Sequence, residues 1–81
     1  MYDTTDHVSE QEPTAIVDRL TMRELDVILA TVRGNSARQT ARLLDISHRT
    51  VEAHLHAAYR KLGVHSALAA VPILVTANLL A

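Results

Sequence analysis

Arg49, Ala53, His56 and Arg60 recur at helical spacing in the middle of this 81-residue chain, with Glu52 beside them. Val51, Leu55, Ala58 and Leu62 recur in the same stretch at i, i+4, i+7 and i+11. At about 100° per residue the aliphatic set forms one narrow stripe and the polar set lies opposite. A helix that buries one side and shows guanidinium and imidazole groups on the other suits one kind of chemistry. Those groups meet phosphates and base edges in a DNA groove.

Other chemistry is a poorer fit. His54 and His56 suggest a metal pair, but two residues apart on a helix they point about 200° from each other. His65 adds no known ligand spacing, and no metal is expected. Ser47 and His56 resemble a nucleophile beside a base, but no orienting acid or oxyanion pocket accompanies them. No catalytic residue, cofactor or enzyme activity is expected. The chain has no cysteine, which removes disulfides, thiolate nucleophiles and zinc-finger ligands together.

Four helices must position the polar face. The first begins at Thr21, where Thr21-Met22-Arg23-Glu24 has the form of a capping box. Leu25, Ile28, Leu29 and Val32 follow at helical spacing, and Gly34 ends it. The second begins at Ser36, with Gln39 three residues on, and buries Ala37, Ala41 and Leu44. Arg38 and Arg42 share its more exposed side. Asp45-Ile46 makes the turn, with Ile46 as an apolar plug. The third helix, about 48–62, is capped by Ser47 and stopped by Gly63. His54 flanks its buried stripe. The fourth, about 66–79, is apolar nearly all round, and Pro72 is expected to kink it or shift its start.

Composition bounds the rest. The chain is 48% hydrophobic but has no Phe or Trp, so its core must be aliphatic. Residues 1–14 carry Asp3, Asp6, Glu10 and Glu12 and no Lys or Arg, a local charge of −4. Residues 15–81 carry all eight basic side chains against five acids, a local +3. The tail is expected to be disordered and the remainder to be one mildly basic domain. No signal peptide is visible. The run from Ala67 to Leu80 is too short and too interrupted to span a membrane, so a cytoplasmic protein is expected. The fourth helix has more apolar surface than one small core can hide, and a second copy of the chain is the simplest cover.

In this order and spacing the chain resembles the C-terminal DNA-binding domain of the LuxR/FixJ/GerE family of bacterial transcription regulators. The resemblance runs from about Leu20 to Val71. It is carried by Leu20-Thr21-x-Arg23-Glu24, Val27 and Leu29, Gly34-Asn35-Ser36, Ala41-x-x-Leu44-x-Ile46-Ser47, Thr50-Val51-x-x-His54, and Lys61-Leu62-Gly63-Val64. It implies an all-α, four-helix module whose helix-turn-helix occupies about 36–62. The third helix would enter the major groove, with Glu52, Ala53 and His56 facing bases. Asn35, Ser36, Arg49, Thr50, Arg60 and Lys61 would meet phosphates. Leu68, Val71, Pro72, Val75 and Leu79 of the fourth helix would form a symmetric dimer contact. Three positions depart from the family pattern: Glu52 where many relatives have Lys, Ala67 where many have Arg, and Pro72 in the dimerising helix. The regulatory domain usual in the family does not accompany these residues, so a stand-alone regulator or a fragment is expected.

The resulting expectation is a sequence-specific regulator that binds double-stranded DNA as a homodimer, its two third helices in major grooves about 34 Å apart. Two rivals remain. One is a protein-interaction module, an anti-activator or a heterodimer partner of a related regulator through the fourth helix. The other is a sigma-factor-type module that contacts promoters with RNA polymerase.

Overall fold

The computed structural model describes residues 13–81, which form helices and connecting turns only. The helices are α1 (Pro13–Val17), α2 (Met22–Val32), α3 (Ala37–Leu44), α4 (His48–Leu62) and α5 (Ala67–Thr76). The expected four-helix module is therefore present as α2 to α5. The acidic run up to Glu12 lies outside the described residues.

The starts of α2 to α5 are each built from a side chain that accepts an otherwise unpaired backbone N–H. Thr21 and Glu24 cap α2 reciprocally: the Glu24 N–H donates to Thr21 Oγ1 at 3.1 Å, and the Thr21 N–H donates to Glu24 Oε1 at 2.9 Å. Ser36 and Gln39 do the same for α3, at 3.1 and 2.7 Å. Ser47 accepts from the Thr50 N–H at 3.0 Å, and Ser66 from the Ala69 N–H at 3.2 Å. Each such cap contributes about 1 kcal/mol. The ends are set by left-handed residues. Gly63 closes α4 at φ 72°, a conformation that costs glycine nothing. Asp45 takes the same role after α3 at φ 56°, where a short polar side chain tolerates it.

The core has two lobes that meet on α4. Val17, Ile28, Ala58, Leu62, Ala70 and Leu74 gather α1, α2, α4 and α5. Val27, Ala41 and Val51 gather α2, α3 and α4. Leu55 packs against both lobes. Ile46 packs into the second lobe from the α3–α4 turn, as a plug. Thr40 is fully buried beside the stripe that Ala41 and Leu44 mark, and its hydroxyl has no hydrogen-bond partner among the described residues.

Three details differ from the sequence reading. A helix not expected from the sequence, α1, opens at Pro13. Proline presets the helical φ at a first-turn position. Five residues are too few to show periodicity, and so short a helix exists only by packing. Here Val17 is buried and Ile16 lies against the core. The last helix stops at Thr76, not near 79. Asn78 turns left-handed at φ 66°, and the Leu79 N–H closes back on the Leu74 carbonyl at 2.9 Å. Pro72 sits inside α5, which neither stops nor starts there.

A contact between residues far apart in sequence locks α2 to α4. Lys61 Nζ donates to Glu24 Oε1 at 2.7 Å, the same oxygen that caps Thr21. The Glu24 carboxylate is buried and the lysine about one-third exposed. The Lys61 hydrogen bond holds the Glu24 pKa below its ordinary value of 4.5, against the opposing effect of burial. A depressed carboxylate stabilises the fold fully above its unfolded value and loses that contribution as pH falls through the folded one. Lys61→Ala leaves the carboxylate buried and unpaired. It is expected to cost about 2 kcal/mol near neutral pH, less than a fully buried pair because water reaches the lysine end. Denaturant unfolding across the acid range should show wild-type stability falling below about pH 4.5, and the variant falling less. Thr40→Val, which removes the orphan hydroxyl at nearly constant shape, is expected to raise stability by about 1 kcal/mol in the same assay.

Candidate nucleic-acid interface

The amphipathic pattern of α4 is realised in three dimensions. Val51, Ala58 and Leu62 are buried and Leu55 is largely covered, while His48, Arg49, Glu52, Ala53, His56 and Arg60 are exposed on the other side. The turn through Asp45 sets α3 against the start of α4, so Arg38 and Arg42 are exposed on a helix adjoining it. Arg38, Arg42, Arg49 and Arg60 have no carboxylate partner among the described residues. Four guanidinium groups thus remain available to an outside anion. Glu52 is the one carboxylate on the exposed side of α4, with His48 Nε2 at 3.7 Å from its Oε2.

The remaining candidates for phosphate contact are held more tightly. Ser36 is exposed at the start of α3 and accepts from the Gln39 N–H. Thr50 is half-buried, its Oγ1 accepting from the Ser47 hydroxyl at 2.8 Å. Asn35 is half-buried, and its Nδ2 donates to the Ala30 carbonyl at 2.9 Å, closing the end of α2. Lys61 differs most from expectation. Its ammonium is turned to Glu24 and away from the exposed side, so its charge is committed inside the domain. Nothing in the local pattern signals this, because the partner lies 37 residues upstream.

The histidines divide as the helical spacing requires. His56 is exposed and His54 half-buried beside the stripe. Ser47 is a cap, and His56 stands nine residues along, roughly 13 Å at the rise of a helix, so the two do not form a nucleophile and base. An open cavity of about 460 Å³ lies at the C-terminal half of α4, lined by His56, Tyr59, Arg60, Val64 and His65. Burial pushes the Tyr59 phenol above its ordinary value of 10.0, so it stays a neutral hydrogen-bonding group there.

On α5 the inner side supplies Ala70 and Leu74 to the core. The outer side leaves Leu68 81% and Val75 45% exposed, with Pro72 between them and Val71 half-buried alongside. Leu68, Pro72 and Val75 stand at i, i+4 and i+7 and share one face. Leu79 does not extend that face. Because α5 ends at Thr76, Leu79 folds back and packs against the first core lobe. The longest described helix is α4, and no helix among the described residues is long and apolar enough to cross a membrane.

Residues 18–74 match the family described as bacterial regulatory proteins, luxR family. The nitrate/nitrite response regulator protein NarP of Escherichia coli (strain K12) is 42% identical over 62 residues, 76% of this chain and 27% of that protein. The transcriptional regulatory protein TdiR of Thauera aromatica is 37% identical over 57 residues, 70% of this chain and 25% of that protein. The glycerol metabolism activator of Pseudomonas putida is 39% identical over 56 residues, 69% of this chain and 25% of that protein. The chain spans about a quarter of the length of these relatives. No solved structure matches it. With α2, α3, α4 and most of α5 inside the matched residues, the chain belongs to the luxR family of bacterial regulatory proteins, and residues 18–74 are its helix-turn-helix domain.

Proposed function

We propose that this chain binds duplex DNA as a homodimer, regulates transcription, and works in the cytoplasm. The observation that carries the reading is the exposed side of α4. A 15-residue helix, clamped by two core lobes, holds Arg49 and Arg60 in solvent with no acidic partner among the described residues. A major groove about 12 Å wide admits such a helix. In that pose Arg49 and Arg60 meet phosphates on the groove walls. Glu52, Ala53 and His56 face base edges. Ser36, Thr50 and Asn35 sit where the starts of α3 and α4 approach the backbone, Asn35 through its neighbouring backbone more than its committed amide. Lys61 drops out of the phosphate set, and Arg38 and Arg42 are the closest replacements in charge.

The dimer contact in this reading is the outer face of α5, through Leu68, Pro72 and Val75 with Val71 at the edge and without Leu79. An aliphatic face of this kind, on a domain with no disulfide to staple it, gains stability from a second copy. The names of the relatives agree with a regulator: TdiR is a transcriptional regulatory protein and NarP a response regulator.

Two measurements test this. In titrations with duplex DNA, Arg49→Ala and Arg60→Ala are each expected to weaken binding roughly tenfold at low salt and to reduce the salt slope by about 1. Lys61→Ala should leave the slope unchanged. Equal slopes for the arginine variants and wild type would remove α4 from the groove. Light scattering should give twice the chain mass for wild type and the single mass for Leu68→Glu, with the helical content of both alike. A wild-type protein that stays monomeric at every concentration would instead assign the α5 face to a different partner chain.

A further inference from the structure

We infer that Glu52 reads a cytosine, and that the same charge lowers affinity for every site lacking one. The inference rests on α4 lying in the major groove as proposed above. Among the six side chains exposed on that helix, Glu52 is the only one with negative charge. Its side chain is 63% exposed, and His48 Nε2, one turn back, lies 3.7 Å from its Oε2. It is not consumed by the fold in the way that Glu24 is.

An ionised carboxylate only accepts hydrogen bonds. Almost everything a DNA duplex presents to it is also an acceptor. Phosphate oxygens repel it, and so do the N7 and O6 of guanine and the O4 of thymine. The major groove offers two donors, the N4 amine of cytosine and the N6 amine of adenine. Beside the adenine amine stands N7, a second acceptor that the other carboxylate oxygen must meet. Beside the cytosine amine stands a carbon-bound hydrogen on one side, and the only adjoining acceptor is O6 of the paired guanine on the other. Cytosine is therefore the one base whose amine leaves the second carboxylate oxygen a side free of acceptors, whereas the adenine amine lies between its own N7 and O4 of the paired thymine. Ala53, the next residue, is exposed and carries no polar atom, so nothing there holds the helix off the base edges.

The charge also works by exclusion. Arg49 and Arg60 attract any duplex, and Glu52 opposes them on any duplex. Only a cytosine at the right position repays its desolvation. Discrimination here comes as much from the penalty on wrong sites as from the contact with the right one.

Binding of wild type, Glu52→Ala and Glu52→Gln to duplexes selected from a random pool tests this, followed by titration against an unrelated duplex. Wild type is expected to fix a C·G pair at one position of each half-site, preferring it about tenfold over the other three pairs. Glu52→Ala should level the four pairs to within about twofold, and should bind the unrelated duplex several-fold tighter than wild type. Glu52→Gln should move the preference toward A·T, because a carboxamide accepts from N6 and donates to N7 of adenine. The side chain is exposed, so thermal unfolding should not distinguish the three proteins. If Glu52→Ala keeps the wild-type preference at every position, the cytosine assignment is wrong while DNA binding stands. If none of the three proteins binds any duplex, the groove reading itself fails and this inference goes with it.

Discussion

Val51, Leu55, Ala58 and Leu62 must face inward together, and that requirement fixes what α4 shows to solvent. Burying a single large aliphatic side chain is worth about 1.5–3 kcal/mol, several times any exposed ion pair. The stripe therefore sets the rotation of the helix, and the polar residues take whatever azimuth remains. Leu55 joins the two core lobes, so α2 and α3 grip the helix near its start while α1 and α5 grip it further along. A helix face built this way is rigid because its reverse side is the core. No loop carries it.

Polar contacts refine the angle that packing sets. The carboxylate of Glu24 is the densest of these. One oxygen caps the Thr21 N–H and receives the Lys61 ammonium, so the start of α2 and the end of α4 share an atom. Buried ion pairs add little net stability as a rule, but they penalise any arrangement that separates the partners. Lys61 illustrates how a positive charge beside an exposed basic face need not belong to it. Its alkyl stem lies on α4, yet its charged end serves the internal joint.

The outer side of α5 is the remaining imbalance. Leu68, Pro72 and Val75 are exposed on a domain whose inner apolar residues already fill the core. The left-handed turn at Asn78 sharpens this. It ends the helix early and turns Leu79 inward, leaving a shorter outer face with proline at its middle. Pro72 gives no N–H to the Leu68 carbonyl, yet the helix continues, because the buried Ala70 and Leu74 hold the turn that contains it.

The helices, their order and the two-sided character of α4 were legible in the residues alone. These depend on local signals: hydroxyl caps at Thr21, Ser36 and Ser47, glycine at 34 and 63, and apolar spacing near 3.6. The exposed set Arg49, Glu52, Ala53, His56 and Arg60 followed from that spacing, since whatever opposes a buried stripe faces solvent. The helix α1 was not legible, because one turn carries no period and is held only by neighbours that fold around it. Nor were the burial of Thr40, the early end of α5 and the inward turn of Leu79, each of which depends on where another helix lies. Sequence spacing thus decided which side of each helix is apolar. The tertiary structure decided which charges are left over, pairing Lys61 with Glu24 and leaving Glu52 with only His48 nearby, because contacts between distant segments exist only once the chain has closed on itself.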